Sequence, residues 1–292
     1  MPFLYIYWNP SKEIFHIPFI GFPVLWYSLF FALGFFIGYC IFSRLIRAYI
    51  LDADPSITVE NAKKMSLTIT DGITFTMILC TIIGARLGHI LFYEDIFSYL
   101  KNPLRILKTW EGGLASHGAL IAIMIGLWIF SKNLSKKITI KVSYLTLLDL
   151  VAIPTALAAV FIRVGNFFNQ EILGKVSNLP WSIIFLRPAD GGLIMPRHPV
   201  QLYEAFAYLI IFFLLIYLFY QRKFFKVPGQ LIGVFLVLVF SARFFLEYFK
   251  VEQSVAFNSD FLTMGQYLSI PIVLLGVFLF FIHRFYKKNG SK

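Results

Sequence analysis

Residues 200–220 read VQLYEAFAYLIIFFLLIYLFY, with one charged side chain, Glu204, near the start and only apolar and aromatic residues after it. A helix rises about 1.5 Å per residue, so a run of this length crosses the ~30 Å hydrocarbon core of a bilayer. Lipid offers no hydrogen bonds to the backbone, and a helix is the form in which an isolated segment satisfies its own. Outward from this run, six more can be drawn at about 22–43, 66–92, 113–131, 143–162, 230–248 and 266–283. The composition agrees. Of 292 residues 59% are hydrophobic, 18% aromatic and 14% charged, with a mean hydropathy of +0.76. Soluble domains carry about 25% charged residues, so the deficit implies a lipid-facing surface and excludes disordered, fibrous and soluble globular chains. The expected fold is an all-α polytopic membrane protein of about seven transmembrane helices. It forms one domain over 1–292, with an irregular segment at about 164–199 rich in Gly, Asn and Pro. The first run lacks a basic leader and exceeds the length of a signal-peptide core, so it is expected to be retained.

Charge sets the expected orientation. Alternate loops carrying Arg44, Arg47, Lys63 and Lys64, then Lys132, Lys136, Lys137 and Lys141, then Arg222, Lys223 and Lys226, then the C-terminal Lys and Arg, hold nearly twice the basic residues of the opposite set. The positive-inside bias then places the N-terminus outside and the C-terminus in the cytoplasm. The net charge of +11 reads as attraction to an anionic membrane rather than to nucleic acid. Cys40 and Cys80 lie in apolar runs without CxxC spacing or a neighbouring His, which argues against a disulfide framework or a metal site.

Three arginines, Arg86, Arg163 and Arg243, fall within or at the ends of runs, where insertion costs at least about 2.5–3.5 kcal/mol. Each needs a partner or a function. In GARLGHILFYE (84–94), Gly84 and Gly88 make a small-residue face for close helix packing, and Arg86 is read either as a snorkelling side chain or as a ligand. In RVGNFFNQEILG (163–174), after a run kinked or interrupted by Pro154, Arg163 and Asn166 share a helix face with Gln170 one turn on. A planar guanidinium with a nearby amide suits a phosphate, and the alternative is a helix cap with an Arg163–Glu171 pair. In ARFFLEYFK (242–250), Arg243 and Glu247 have i,i+4 spacing for an ion pair. WEGGLASHGALIA (110–122) sets Ser116, His117 and Gly118 at a helix start, where free N–H groups favour an anion and a histidine moves protons near pH 7. RHPVQLYEA (197–205) reads first as a helix start with Arg197, Gln201 and Glu204 on one face, and Tyr27 as part of an aromatic belt. No GxSxG, HExxH, P-loop or GxGxxG occurs, so serine hydrolase, zincin and nucleotide-driven chemistry lack support.

Taken in order with WYSLFFALGF and MGQYLSIP (264–271), these motifs resemble those of bacterial prolipoprotein diacylglyceryl transferases along the whole chain, and RVGNFFNQEILG matches the family signature. The resemblance implies a multi-pass enzyme of the bacterial inner membrane with its active site toward the periplasm. It would move the diacylglyceryl group of phosphatidylglycerol onto the lipobox cysteine of a prolipoprotein signal peptide. It implies catalytic roles for Arg163, Arg243 and His117. Phosphatidylglycerol contacts would fall to Arg163, Arg243, Tyr27, Asn166, Glu171, Gly174, Glu247, Arg86 and Gly118, with no metal, cofactor or nucleic acid. The sequence departs from the family pattern at Ile162, usually Gly, at Ala119, usually Gly, and at Lys250, often Arg. Without the resemblance, a transporter or flippase for an anionic lipid or solute is the rival reading. The absence of an internal repeat weighs against it.

Overall fold

A computed structural model describes residues 5–19, 21–94, 99, 101–108, 112–137, 140–251 and 262–289, the side chains of 137 and 283–289 excepted. Trp110 and Glu111 of the histidine motif lie outside these residues. The described chain is all-helical apart from five short strands, and seven of its helices are long and apolar enough to cross a membrane. They are α1 (Trp26–Ala53), α2 (Val59–Tyr93), α3 (Ser116–Lys137), α4 (Tyr144–Asn169), α5 (Val200–Tyr220), α6 (Gln230–Leu246) and α7 (Met264–Asn289).

Five of the helices outrun the apolar stretches that predict them. Hydropathy marks the part of a helix that meets lipid, whereas the backbone ladder continues wherever propensity and caps allow. The run expected to end at 43 continues through Arg44 and Arg47 to Ala53, and Leu45, Ile46 and Ile50 on that extension are fully buried. The next helix begins seven residues earlier than its run, at Val59, where the Thr58 hydroxyl accepts the Asn61 N–H at 3.3 Å. Before α3 the chain passes Gly112 and Gly113 at φ +90° and +74°, conformations that side chains disfavour, so the helix starts at Ser116 rather than 113. Pro154 does not interrupt α4, which runs on to Asn169.

Two compact units are distinguishable, one of Met1–Ile41 with Asp149–Lys292 and one of Phe42–Leu148, and α1 and α4 pass from one into the other. In the first unit, Gly34 and Gly38 of α1 face Ala158 and Pro154 of α4, with a Cβ at either glycine coming 3.4–3.5 Å from the facing residue. Strands β1 (Ile6–Trp8), β4 (Ile183–Phe185) and β5 (Pro196–Arg197) form a small sheet, with β1 parallel and β5 antiparallel to β4. A separate hairpin pairs β2 (Glu13–His16) with β3 (Pro23–Leu25) and leads into α1. Phe167, Leu173, Ile183 and Phe185 make the core beneath the sheet, with Trp8 and Phe168 against it. The Trp8 indole donates to the Phe167 carbonyl at 3.1 Å and its ring sits 4.5 Å from that of Phe167. The two phenylalanines of RVGNFFNQEILG thus anchor the end of α4, and the polar residues around them are held by that anchor.

In the second unit α2 packs on α3 through glycines. A Cβ at Gly118 would come 2.3 Å from the Gly84 carbonyl oxygen and 2.6 Å from Gly88 Cα, so the backbones touch where a side chain would stand. The small-residue face read from GARLGHILFYE is a helix contact within the chain.

Candidate active site

Arg163 lies on the last two turns of α4 with three neighbours along the chain. Its Nη1 donates to Asn166 Oδ1 at 3.2 Å, and Asn166 Nδ2 donates to Glu171 Oε2 at 3.2 Å. Asn169 Nδ2 donates to the other Glu171 oxygen at 2.9 Å. The expected alternative pair of Arg163 with Glu171 is therefore replaced by a relay through the Asn166 amide, with Asn169 holding the far side of the carboxylate. The carboxylate next to Arg163 is Glu204 of α5, wholly buried, with Oε2 at 2.9 Å from Arg163 Nε. The sequence predicts Glu204 on the face of a helix start with Arg197 and Gln201, and gives it no partner in Arg163. The signal for its role was present: a lone acid in an otherwise apolar run needs a partner.

The turn after α4 is held against its own preference. Gln170 and Ile172 have φ of +56° and +54°, and for a β-branched residue this is an outlier. Three bonds over-determine it. Gln170 Oε1 accepts Arg187 N–H at 2.8 Å, Gln201 Nε2 donates to the Glu171 carbonyl at 2.6 Å, and Glu171 N–H donates to the Asn166 carbonyl at 2.9 Å. Gln170, expected on the Arg163 face, is buried and serves this turn instead. Strain held at Gln170 and Ile172, on either side of Glu171, marks the turn as one whose geometry matters. Gly174 follows where a Cβ would fall 2.3 Å from the His198 carbonyl oxygen, and it bridges to Lys250. Tyr27 of α1 lies over Gly165, where a Cβ would come 2.8 Å from the tyrosine ring, and the charges of Glu171 and Arg163 both reach its hydroxyl.

Arg243 stands in the last turn of α6, partly exposed. Its guanidinium makes no ion pair or hydrogen bond among the described residues, and its charge acts with that of Arg163 on Tyr208. The expected Arg243–Glu247 pair does not form. Glu247 Oε2 lies 3.1 Å from Lys250 Nζ, and the same ammonium donates to Glu204 Oε1 at 2.9 Å. Lys250, buried at the place where the family often has Arg, is thus a bridge between two carboxylates. Arg197 is likewise displaced from its expected helix face: it lies in β5 and pairs with Asp190 at 3.0 Å.

The remaining candidates belong to the second unit. Arg86 is buried, and its guanidinium donates to the carbonyls of Ile106 at 3.0 Å, Gly112 at 2.9 Å, Gly113 at 3.3 Å and Arg105 at 2.7 Å. Its donors are committed to the chain that leads into α3. His117, second residue of α3, is exposed, with the Phe92 and Tyr93 rings 5.1 and 5.7 Å away and no hydrogen bond to its ring nitrogens among the described residues. Gly118 is committed to the glycine contact with α2. Among the described residues no group of three or more His, Cys, Asp or Glu is placed to hold a metal ion.

The site is thus an array of one arginine, two amides and a glutamate in a strained turn, with a second arginine that makes no ion pair or hydrogen bond among the described residues. Comparison with known proteins points the same way. The model of the family described as prolipoprotein diacylglyceryl transferase matches residues 12–282. A protein of Tolumonas auensis named phosphatidylglycerol--prolipoprotein diacylglyceryl transferase is 41% identical, covering 94% of this chain and 96% of its own. Proteins of the same name from Chlamydia caviae and Protochlamydia amoebophila are 41% and 35% identical, covering 94% of this chain in both cases and 91% and 94% of their own. The chain belongs to the prolipoprotein diacylglyceryl transferase family.

Proposed function

We propose that this protein transfers the diacylglyceryl group of phosphatidylglycerol to the lipobox cysteine of prolipoproteins, at the outer face of a bacterial inner membrane. The sulfur attacks the glycerol carbon that carries the phosphate ester. A C–S bond forms, the C–O bond breaks, glycerol phosphate departs with the electron pair, and the thiol proton passes to a base. The carrying observation is Arg243, an arginine at a membrane-span end with no ion pair or hydrogen bond among the described residues, on a chain where Arg163 is already oriented by Glu204 and Asn166. Fixed guanidinium charge in a low-dielectric site stabilises the negative charge that develops on a phosphate leaving group. Arg163 and Arg243 hold the phosphate, and Asn166, Glu171 and Tyr27 orient the glycerol part. Gly174 lets the His198 backbone come close, and Glu247 is held by Lys250.

The thiol, of pKa about 8.5 when free, must also lose its proton. His117 is assigned as the acceptor, since its ring nitrogens carry no hydrogen bond among the described residues. Arg86 and Gly118 act through the backbone they hold. Purified protein incubated with phosphatidylglycerol and a lipobox-cysteine peptide should yield a peptide bearing a thioether-linked diacylglyceryl group. Absence of that product would sink the proposal, whereas movement of intact lipid across vesicles without product would favour a flippase.

A further inference from the structure

Arg243 and Glu247 have the spacing at which arginine and glutamate ordinarily pair on a helix, yet they are apart. The local backbone supplies one reason. The α-helix ends at Leu246, and Glu247–Phe249 form a 3-10 turn, in which residues three apart eclipse. Glu247 is thereby aligned with Lys250 rather than Arg243, and the two side chains meet at 3.1 Å. The second reason comes from α7. Gly265 sits against the Glu247 carboxylate, and a Cβ there would come 2.6 Å from its carboxyl carbon. The carboxylate therefore occupies a seat made by an ammonium on one side and a missing side chain on the other.

The charges complete the case. Arg163, Glu204, Lys250 and Glu247 form a chain in which cations and anions alternate, with contacts of 2.9, 2.9 and 3.1 Å. That chain neutralises itself, and Arg243 is left over. Without the Lys250 charge, Glu204 keeps Arg163, and the cation left for Glu247 is Arg243, four residues back. A phosphate would then have to displace a carboxylate. We propose that Lys250 and Gly265 are positioning residues that keep Glu247 off Arg243, so that this guanidinium stays free for the phosphate of the lipid substrate. The proposal rests on the reading that Arg243 binds that phosphate.

The test measures KM separately for phosphatidylglycerol and for the lipobox peptide. Lys250→Gln removes the charge, and Gly265→Ala crowds the seat without changing any charge. Both should raise the phosphatidylglycerol KM by about tenfold, equivalent to roughly 1.4 kcal/mol, and leave the peptide KM unchanged. Lys250→Arg keeps the charge and should hold the phosphatidylglycerol KM to within about twofold. An unchanged phosphatidylglycerol KM in either first variant would overturn the proposal, as would an equal rise for both substrates, which marks a general structural effect. If Lys250→Gln does not fold, Gly265→Ala and Lys250→Arg decide alone, and a tenfold rise in Lys250→Arg also overturns it. Wild-type protein that makes no product defeats the proposed function itself, and an active wild type with insensitive variants defeats only this inference.

Discussion

Asp149 gives the sharpest test of how this membrane fold is held. It lies in α4, fully buried, and its two carboxylate oxygens accept the backbone N–H groups of Gly229 and Ile232, both at 2.7 Å. Those N–H groups open α6, whose N-cap residue, Gly229 at φ +96°, has no side chain to offer. The first-turn N–H groups of a helix have no partner within it, so α4 supplies a cap that α6 lacks. In Asp149→Asn one oxygen becomes an NH2 group, and a donor then faces a donor. The loss is one buried hydrogen bond, about 0.5–1.5 kcal/mol, plus the ~1–3 kcal/mol for leaving a buried N–H unpaired. A total of about 2–4 kcal/mol follows. At about 2 °C per kcal/mol for a chain of this size, the midpoint of thermal unfolding should fall by ~4–8 °C. Asp149→Ala removes both acceptors and should fall further. Tryptophan fluorescence of detergent-purified protein would follow the transition. A fall below about 2 °C for Asp149→Asn, on that same conversion, would refute trans-capping as a stabilising element.

Three further outcomes are expected. Gly88→Ala puts a Cβ 2.7 Å from Gly118 Cα, a backbone atom that cannot swing aside, so α2 and α3 must separate at a cost of about 1–3 kcal/mol; an unchanged melting temperature would contradict the contact. Arg86→Lys gathers its donors on one nitrogen, which cannot reach the Arg105, Ile106 and Gly112 carbonyls together. It should lose at least two bonds of about 0.5–1.5 kcal/mol each, read as a lower melting temperature, and full stability would show that the clamp contributes nothing. His198, outside the spans, has its pKa lowered by burial. Between that lowered value and the ordinary value near 6.5 the unfolded chain binds more protons, so stability rises with pH and is lost as pH falls through the window. His198→Phe should flatten the dependence of melting temperature on pH between 7.5 and 5, and an unaltered slope would count against it.

The seven helices were legible because apolar runs near 20 residues long leave a chain few alternatives. Their ends were not. Neither the ten residues of α1 beyond 43 nor the start of α2 at Val59 is apolar enough to register, and both are set by burial and capping. The motif around Arg163 was legible as polar groups where they are expensive. The partner of Arg163 was not, because Glu204 lies on another helix and only packing brings it within 2.9 Å. Asp149 was overlooked although it is the one acid of the run 143–162, the kind of residue that the cost of charge in lipid should have singled out.

The Arg243–Glu247 expectation fails for a reason that separates helix statistics from site design. An i,i+4 pair is worth about 0.2–0.5 kcal/mol on an exposed helix, too little to resist a competing geometry. Here the competitor is a 3-10 turn that begins at Glu247 itself, joined to a buried ammonium and a glycine gap. The same preference appears in the turn after α4, where Glu171 is tied to two amides rather than to Arg163. In both motifs the nearest carboxylate in sequence is drawn away from the arginine. Arg163 then meets a carboxylate only through its Nε edge, and Arg243 meets none among the described residues. An arginine neutralised by its own neighbour binds a phosphate weakly, because the carboxylate must first be displaced. On the proposed function, diverting Glu171 and Glu247 to other partners is what leaves guanidinium charge for a lipid phosphate.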